Sequence, residues 1–340
     1  MRGVVAAVVA ALFAGAVALC AAPARAQEDG PVRGDASSRQ VRIVNLNLLH
    51  GVFCPKETNG CQAPDRVELL MQQLEDAECP EIVGLQEINA QLANLLDKAV
   101  RTTCDGEYEV VFGKMPRSLD TERVLTTLPV RSTKVVKLSG NFRTASRAVL
   151  QSPIGPIVLV VTHQDGDPED AATQPPCRTT CPPVCQERQA TIAACQTVVA
   201  ADLADRVGGR RAIRVLMGDF NVTPDSPRYQ MLLDEGWVDA YLTAGNPECD
   251  AATGVGCTGG RADQAVDALK DPNARNTERI DYIFVKSGES CPVVFDSPDD
   301  RNDNGLGTGL FGDEPAVDGP GGIVWTSDHT GVSADITCGA

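Results

Sequence analysis

The sequence predicts a layered α/β fold, on three observations. Short apolar runs such as Ile157 to Thr162 and Val215 to Met217 have the length and composition of buried strands. Between several of them lie segments with apolar residues at helical spacing, as at Val67, Leu70, Met71 and Leu74. Many of the apolar runs stop at a carboxylate, an amide or an imidazole, and in open α/β sheets ligands bind at the carboxyl ends of strands.

The first segment is an export signal by its pattern. Arg2 precedes an almost unbroken apolar run from Val4 to Cys20, and Ala24-Arg25-Ala26 is a small-x-small cleavage site. Residues 1–26 are therefore expected to leave as a signal peptide, giving a secreted or periplasmic protein that begins at Gln27. The run is short for an anchor, and Leu19 stands where a lipoprotein needs a small residue. No other stretch is long and apolar enough to span a bilayer. Residues 27–40 read as a flexible polar leader, and 41–340 as a single domain expected to act as a monomer.

The domain's elements follow in order. Val41 to Leu49 is a strand, Pro64 to Glu78 a helix, Pro80 to Glu87 a second strand, and Asn89 caps a helix to about Val100. Five short strands are expected at 108–112, 124–128, 133–138, 145–151 and 156–163, the last ending in His163. A Pro- and Cys-rich loop over 165–184 leads to one long helix, Gln186 to Arg206. The strand at Val215 then stops in Gly218-Asp219-Phe220-Asn221, and Ser226-Pro227 starts a helix to about Glu235. A Gly- and Asp-rich loop over 245–277 precedes the strand Arg279 to Lys286, beside which Val293 to Phe295 is expected to pair. Residues 296–322 read as loop, and Val332 to Thr337 as the closing strand.

The formal charge is −16, or −18 without Arg2 and Arg25, from 28 basic and 46 acidic residues. An acidic surface repels polyanions unless a metal or a local basic patch offsets it. Twelve cysteines follow the signal, an even number that reads as disulfides in an oxidising compartment. Cys54 with Cys61 and Cys249 with Cys257 each close a short polar loop. Cys177, Cys181, Cys185 and Cys195 also admit a zinc reading, but no His is near and the paired C-x2-C spacing is missing.

Asp219 and Asn221 have two readings. They either form a strand-end turn bonded to the local backbone or supply a carboxylate and an amide to a site. The other strand ends weigh on the choice. Asn47, Glu87, His163 and Asp328-His329 lie at or just past apolar runs, where a buried charge must be paired or liganded. The chain holds three His, and two of them are in this set.

Six motifs occur in a fixed order: Asn47 in an apolar-x-Asn-x-x-x-Gly strand, Leu85-Gln86-Glu87, Thr162-His163, Gly218-Asp219-Phe220-Asn221, Arg279-Ile280-Asp281-Tyr282 and Ser327-Asp328-His329. In that order they resemble the endonuclease/exonuclease/phosphatase superfamily, over about Val41 to Thr337. The resemblance implies a four-layer α/β/β/α sandwich of two mixed sheets with helices outside. It also implies phosphoester hydrolysis by direct water attack with a divalent metal, commonly Mg2+, with Ca2+ or Mn2+ as alternatives.

It assigns roles as well. Asn47, Glu87 and Asp328 would be oxygen ligands of a hard cation. Asp219 would orient or deprotonate water, and Asn221 would hold that water or a phosphate oxygen. Asp281 would fix the tautomer of His329, and His163 would donate to the phosphate. There are departures. Leu49 stands where some family nucleases carry a second acidic ligand, and no Tyr matches the one some abasic-site nucleases use. Asp300, Asn302, Asn304 and Gly305 begin like a calcium loop, but Phe311 replaces its closing Glu. The expected substrate is a phosphodiester, either a nucleic acid or a phospholipid head group such as sphingomyelin's. Phe53 and Phe311 are isolated candidates for an aromatic wedge into lipid. The competing expectation is a catalytically inactive binding module on the same fold.

Overall fold

A computed structural model describes residues 40–339, apart from 113–120, 141–142, 167–176, 178–180, 189, 262–264 and 297–306. The expected signal, most of the leader and the calcium-loop motif lie outside the described residues. The described part belongs to one compact unit, Ser37–Ala340.

Two sheets form its centre. The first orders β11 (Val293–Phe295), β13 (Gly331–Cys338), β1 (Gln40–Asn47), β2 (Ile82–Gln86), β4 (Arg123–Thr126) and β3 (Glu109–Val111), with β12 (Gly309–Phe311) also on β13. The second orders β5 (Val130–Lys137), β6 (Thr144–Ser152), β7 (Gly155–His163), β8 (Ile213–Asp219), β10 (Asp281–Lys286) and β9 (Val238–Asp239). Each sheet has one parallel pair, β1 with β2 and β7 with β8, among antiparallel neighbours.

Alternation along the strands builds four layers. In β1, Val41 and Ile43 enter the core between the sheets, while Val44 and Leu46 pack outward on α1 (Asn59–Asp76) and α2 (Ala90–Ala99). In β8, Ile213, Val215 and Met217 face the other sheet, and Leu216 packs outward with α4 (Ile192–Asp205) and α5 (Pro227–Asp234). Helix, sheet, sheet and helix are thus the layers, as the resemblance implied.

The caps explain where the helices start. Asn89 accepts from the backbone amides of Gln91 and Leu92, and Ser226 from that of Arg228. In α1, Gly60, Cys61 and Gln62 have positive φ, so the regular helix begins with Ala63 and Pro64.

Three expectations are corrected. The long helix over 186–206 is two, α3 (Pro183–Glu187) and α4, because Thr191 accepts from the Ala194 amide and caps a new helix starting at Ile192, and the Cys185–Cys195 bond folds one against the other. Val293–Phe295 pairs with β13 in the first sheet, not beside β10, and Cys291–Cys338 ties it there. Phe311 is no wedge: it is buried in β12 against the layer of α1 and α2. The short helix α7 (Val266–Lys270) interrupts the loop expected over 245–277, and α6 (Ala240–Thr243) lies just before it.

The cysteines pair as Cys54–Cys61, Cys79–Cys104, Cys177–Cys181, Cys185–Cys195, Cys249–Cys257 and Cys291–Cys338. The two local pairs expected from spacing are among them, and the zinc reading of the quartet falls to two disulfides. Among the described residues no helix is long and apolar enough to cross a membrane.

Candidate active site

The same alternation that buries the strands carries four polar side chains to one end of the inter-sheet face. His163 follows Leu159 and Val161, Asp219 follows Val215 and Met217, and Asp281 precedes Ile283 on that face. The register then sets them side by side, since His163 pairs with Asp219 and Asp281 with Asp219. Asn47 ends β1 on the facing sheet.

Asp219 is the hub. It is 1 % exposed, and its Oδ2 accepts from Asn47 Nδ2 at 3.0 Å. The same oxygen lies 3.5 Å from His163 Nε2 and 3.9 Å from His329 Nε2. Its Oδ1 accepts from the amide of Asn221 at 2.9 Å. One oxygen thus closes the strand-end turn, and the other faces Asn47 and the two imidazoles. Gly218 is required here, because a Cβ would stand 1.8 Å from the carbonyl oxygen of Thr162 on the adjacent strand. Asn221 has φ 52°, which turns it out of the strand's alternation, and its Nδ2 donates to the Gln164 carbonyl at 2.9 Å.

His329 is held from behind. Its Nδ1 lies 2.8 Å from Asp281 Oδ2, which leaves Nε2 toward Asp219. Burial would lower the His329 pKa, but the charges of Asp281, Asp219 and Asp328 lift it well above the ordinary imidazole value. Burial raises the Asp281 carboxyl to about 6 against the pull of His329. Asp281 thus pairs with His329 and not with Arg279, which binds Asp239 and Glu248.

Glu87 and Asp328 stand farther along the same end. Glu87 follows β2 with φ 63°, and its Oε2 accepts from the amide of His50 at 2.7 Å. Asp328 Oδ1 accepts from Ser327 Oγ at 3.0 Å. Both carboxylates act on the buried Arg66, whose pKa burial lowers to about 10 while they oppose the fall. Asp219, Asp281 and His329 bring their ligand atoms within 4.8 Å of one another.

Two site residues escaped the sequence reading. Arg143, in the β5–β6 connection, places Nη1 2.7 and 2.8 Å from the two ring nitrogens of His163, and its Nε donates to Asp165 Oδ1 at 2.7 Å. Only its position one residue before β6, whose Thr144 adjoins the His163 end of β7, marks it in sequence. Arg66 donates to the carbonyls of Leu48, Leu49, Gly60, Cys61 and Thr326, which binds the β1 exit to the Asp328 segment. Its signal was available: Ala63, Arg66, Val67 and Leu70 share one face of α1.

Carboxylates, imidazoles and an arginine thus gather at one end of a two-sheet sandwich. The chain belongs to the endonuclease/exonuclease/phosphatase family, whose model matches residues 44–329. Solved structures similar to it include truncated TDP2 of Caenorhabditis elegans, at TM-score 0.55 and 16% identity over 88% of this chain and 98% of that one. D. rerio TDP2 complexed with single strand DNA product gives TM-score 0.57 and 16% identity over 88% and 99%. An endonuclease/exonuclease/phosphatase from Bacteroides vulgatus gives 0.56 and 20% over 88% and 99%. A comparison with functionally curated proteins found no significant sequence match.

Proposed function

We propose that this protein is an exported, divalent-metal-dependent phosphodiesterase that hydrolyses its substrate by direct water attack. The observation that carries the reading is the placement of Asp219 within reach of Asn47, His163 and His329, with His329 backed by Asp281.

Each residue then has work to do. Asp219 takes or orients the proton of the attacking water, and the Asn47 amide and both imidazoles hold its carboxylate in place. Asp281 keeps His329 Nε2 directed at the phosphate, where its positive charge offsets charge building on oxygen. Arg143 braces the His163 ring, and the pair brings positive charge and N–H donors to the phosphate's side of Asp219. Asn221 holds Asp219 Oδ1 through its backbone amide, its Nδ2 is spent on the Gln164 carbonyl, and its Oδ1 is left to hold the attacking water.

The donor set fits a hard cation. Glu87, Asn47 and Asp328 offer oxygen atoms alone, the donor type that Mg2+, Ca2+ and Mn2+ share, and Mg2+ is the first to test. When bound, such a cation polarises a phosphoryl oxygen. The six disulfides support an oxidising compartment. D. rerio TDP2 was captured with single strand DNA product, which makes nucleic acid the first substrate to test and sphingomyelin the second.

The test is hydrolysis of bis-p-nitrophenyl phosphate, plasmid DNA, RNA and sphingomyelin with Mg2+, Ca2+, Mn2+ or chelator. Asp219→Ala and His329→Ala are expected to lose about 10³-fold in rate while keeping the parent's circular dichroism. Parent-like rates in both variants, or no turnover by the parent on any substrate, would sink the reading.

A further inference from the structure

The loop after β1 ends in an exposed aromatic ring one side chain away from Glu87. Val52 is 46% and Phe53 68% exposed, and Phe53 is the one aromatic among the large exposed apolar residues described. Single exposed apolar residues are ordinary on protein surfaces. Two features set this one apart: its position and the number of fixings that hold it.

The position follows from His50. Its amide donates to Glu87 Oε2 at 2.7 Å, and its ring meets that of Phe53 edge-on with centroids 5.5 Å apart. The Phe53 ring therefore stands one side chain away from Glu87, which the proposed function assigns to the metal. The fixings surround the loop. Cys54–Cys61 closes it, His50 Nδ1 accepts from the Val52 amide at 3.1 Å, and Asn89 Nδ2 donates to the His50 carbonyl at 2.6 Å. Arg66 holds the carbonyls of Leu49 and Gly60 on either side. Gly51 packs so closely on Gly60 that a Cβ would stand 2.5 Å from its carbonyl oxygen. A flexible tip that happened to be apolar would not need this framework. Exposing an apolar ring on a preorganised support lowers the ordering cost of stacking something on it.

We infer that the Val52–Phe53 tip is a specificity-determining shelf on which a nucleobase stacks when the phosphodiester joined to it is cleaved. This rests on the phosphodiesterase reading and deepens it. One ring and one valine match a single flat group. Stacking on an aromatic ring is tolerant of base identity because every base has a π-face. A lipid surface would draw on several apolar side chains, and Phe311, the second wedge candidate, is buried.

Two chromogenic diesters with the same leaving group separate the possibilities: thymidine 5′-(p-nitrophenyl phosphate) and methyl p-nitrophenyl phosphate, each with Mg2+. Phe53→Ala should lower kcat/KM for the thymidine ester about tenfold, mainly through KM, and leave the methyl ester within twofold. Phe53→Trp should retain parent-like selectivity. Cys54→Ala/Cys61→Ala, which frees the loop without touching the ring, should lose part of the thymidine preference. Equal effects of Phe53→Ala on both esters, or none on either, would overturn the shelf. So would a selective loss on p-nitrophenylphosphorylcholine and sphingomyelin vesicles, which assigns the tip to lipid. If the parent turns over neither ester, the catalytic reading fails and calorimetry still reads the shelf. Thymidine 5′-monophosphate must then bind the parent at least fivefold more tightly than Phe53→Ala, and equal binding overturns the inference.

Discussion

Asn47 Nδ2 donates to Asp219 Oδ2 at 3.0 Å across the gap between the two sheets, joining the end of β1 to the end of β8 over 172 residues of sequence. Asn47 Oδ1 accepts from the Leu49 amide at 3.0 Å, so the side chain is fixed at both ends. Asn47→Ala removes a buried donor from a carboxylate that is 1 % exposed. The expected result is about 10²-fold slower hydrolysis of bis-p-nitrophenyl phosphate and a loss of roughly 1–3 kcal/mol in urea unfolding. Asn47→Asp places two carboxylates together and should be worse on both readouts without added metal. Unchanged rates in both variants would remove Asn47 from the site.

The Asp281–His329 pair gives a pH profile with a defined direction. Asp281 titrates near 6, so kcat/KM should fall as pH drops through that value and the carboxylate supporting His329 is neutralised. His329 holds its proton well above the ordinary value. The pair's contribution to stability from His329 is therefore present below the unfolded imidazole pKa and lost as pH rises through the raised folded value. Asp281→Asn removes the main attraction, so the alkaline limb of kcat/KM should move down by about one pH unit or more. An alkaline limb at the same pH in both proteins would refute the pairing.

Much of this site was legible because strand alternation obeys a simple count. Asp219 lies two residues beyond Met217 and His163 two beyond Val161, so once those apolar residues face the other sheet the polar ones must as well. Asp328 and His329 were legible as polar residues past an apolar run and through motif order, since no strand period reaches them before β13. Arg143 was not legible, because its role comes from the cross-strand neighbour of Thr144 and not from anything beside it in sequence. The break between α3 and α4 was missed for a related reason. The apolar spacing runs through it, and the cap at Thr191 competes with a helix that propensity alone would continue. Val293–Phe295 went to the wrong sheet because its nearest strand in sequence is not its partner in space.

Arg66 should not tolerate Lys. Its guanidinium is fully buried and spreads its donors over five carbonyls, a fork that a single ammonium cannot match. Arg66→Lys and Arg66→Ala are each expected to cost about 3 kcal/mol or more in urea denaturation. Metal affinity should fall with them, because the Leu48, Leu49 and Thr326 backbone positions Asn47 and Asp328. A Lys variant with parent stability would show that the charge alone suffices.

Asp335, on β13 away from the site, offers a stability test. It is 3 % exposed, its Oδ2 accepts from Gln40 Nε2 at 2.9 Å, and burial with the nearby Asp296 charge raises its pKa to about 6. The folded value lies above the unfolded one, so protonation stabilises the fold below about pH 4, and that stabilisation is lost as pH rises through 6. Asp335→Asn mimics the neutral form. It should gain roughly 1–3 kcal/mol over the parent at pH 8 and gain less toward pH 5, read from urea midpoints. A constant difference across that range would show that the charge is not the cause.

The first and last strands of the described chain are neighbours: β13 pairs with β1 along Gln40 to Asn45, and the segment just before β13 carries Asp328 and His329. During synthesis β1 therefore waits for β13 before the two can pair. A growing chain has β8 and Asp219 in place more than a hundred residues before it has His329. On the proposed reading, Asp219 waits for its imidazole neighbour until the segment just before β13 has been made.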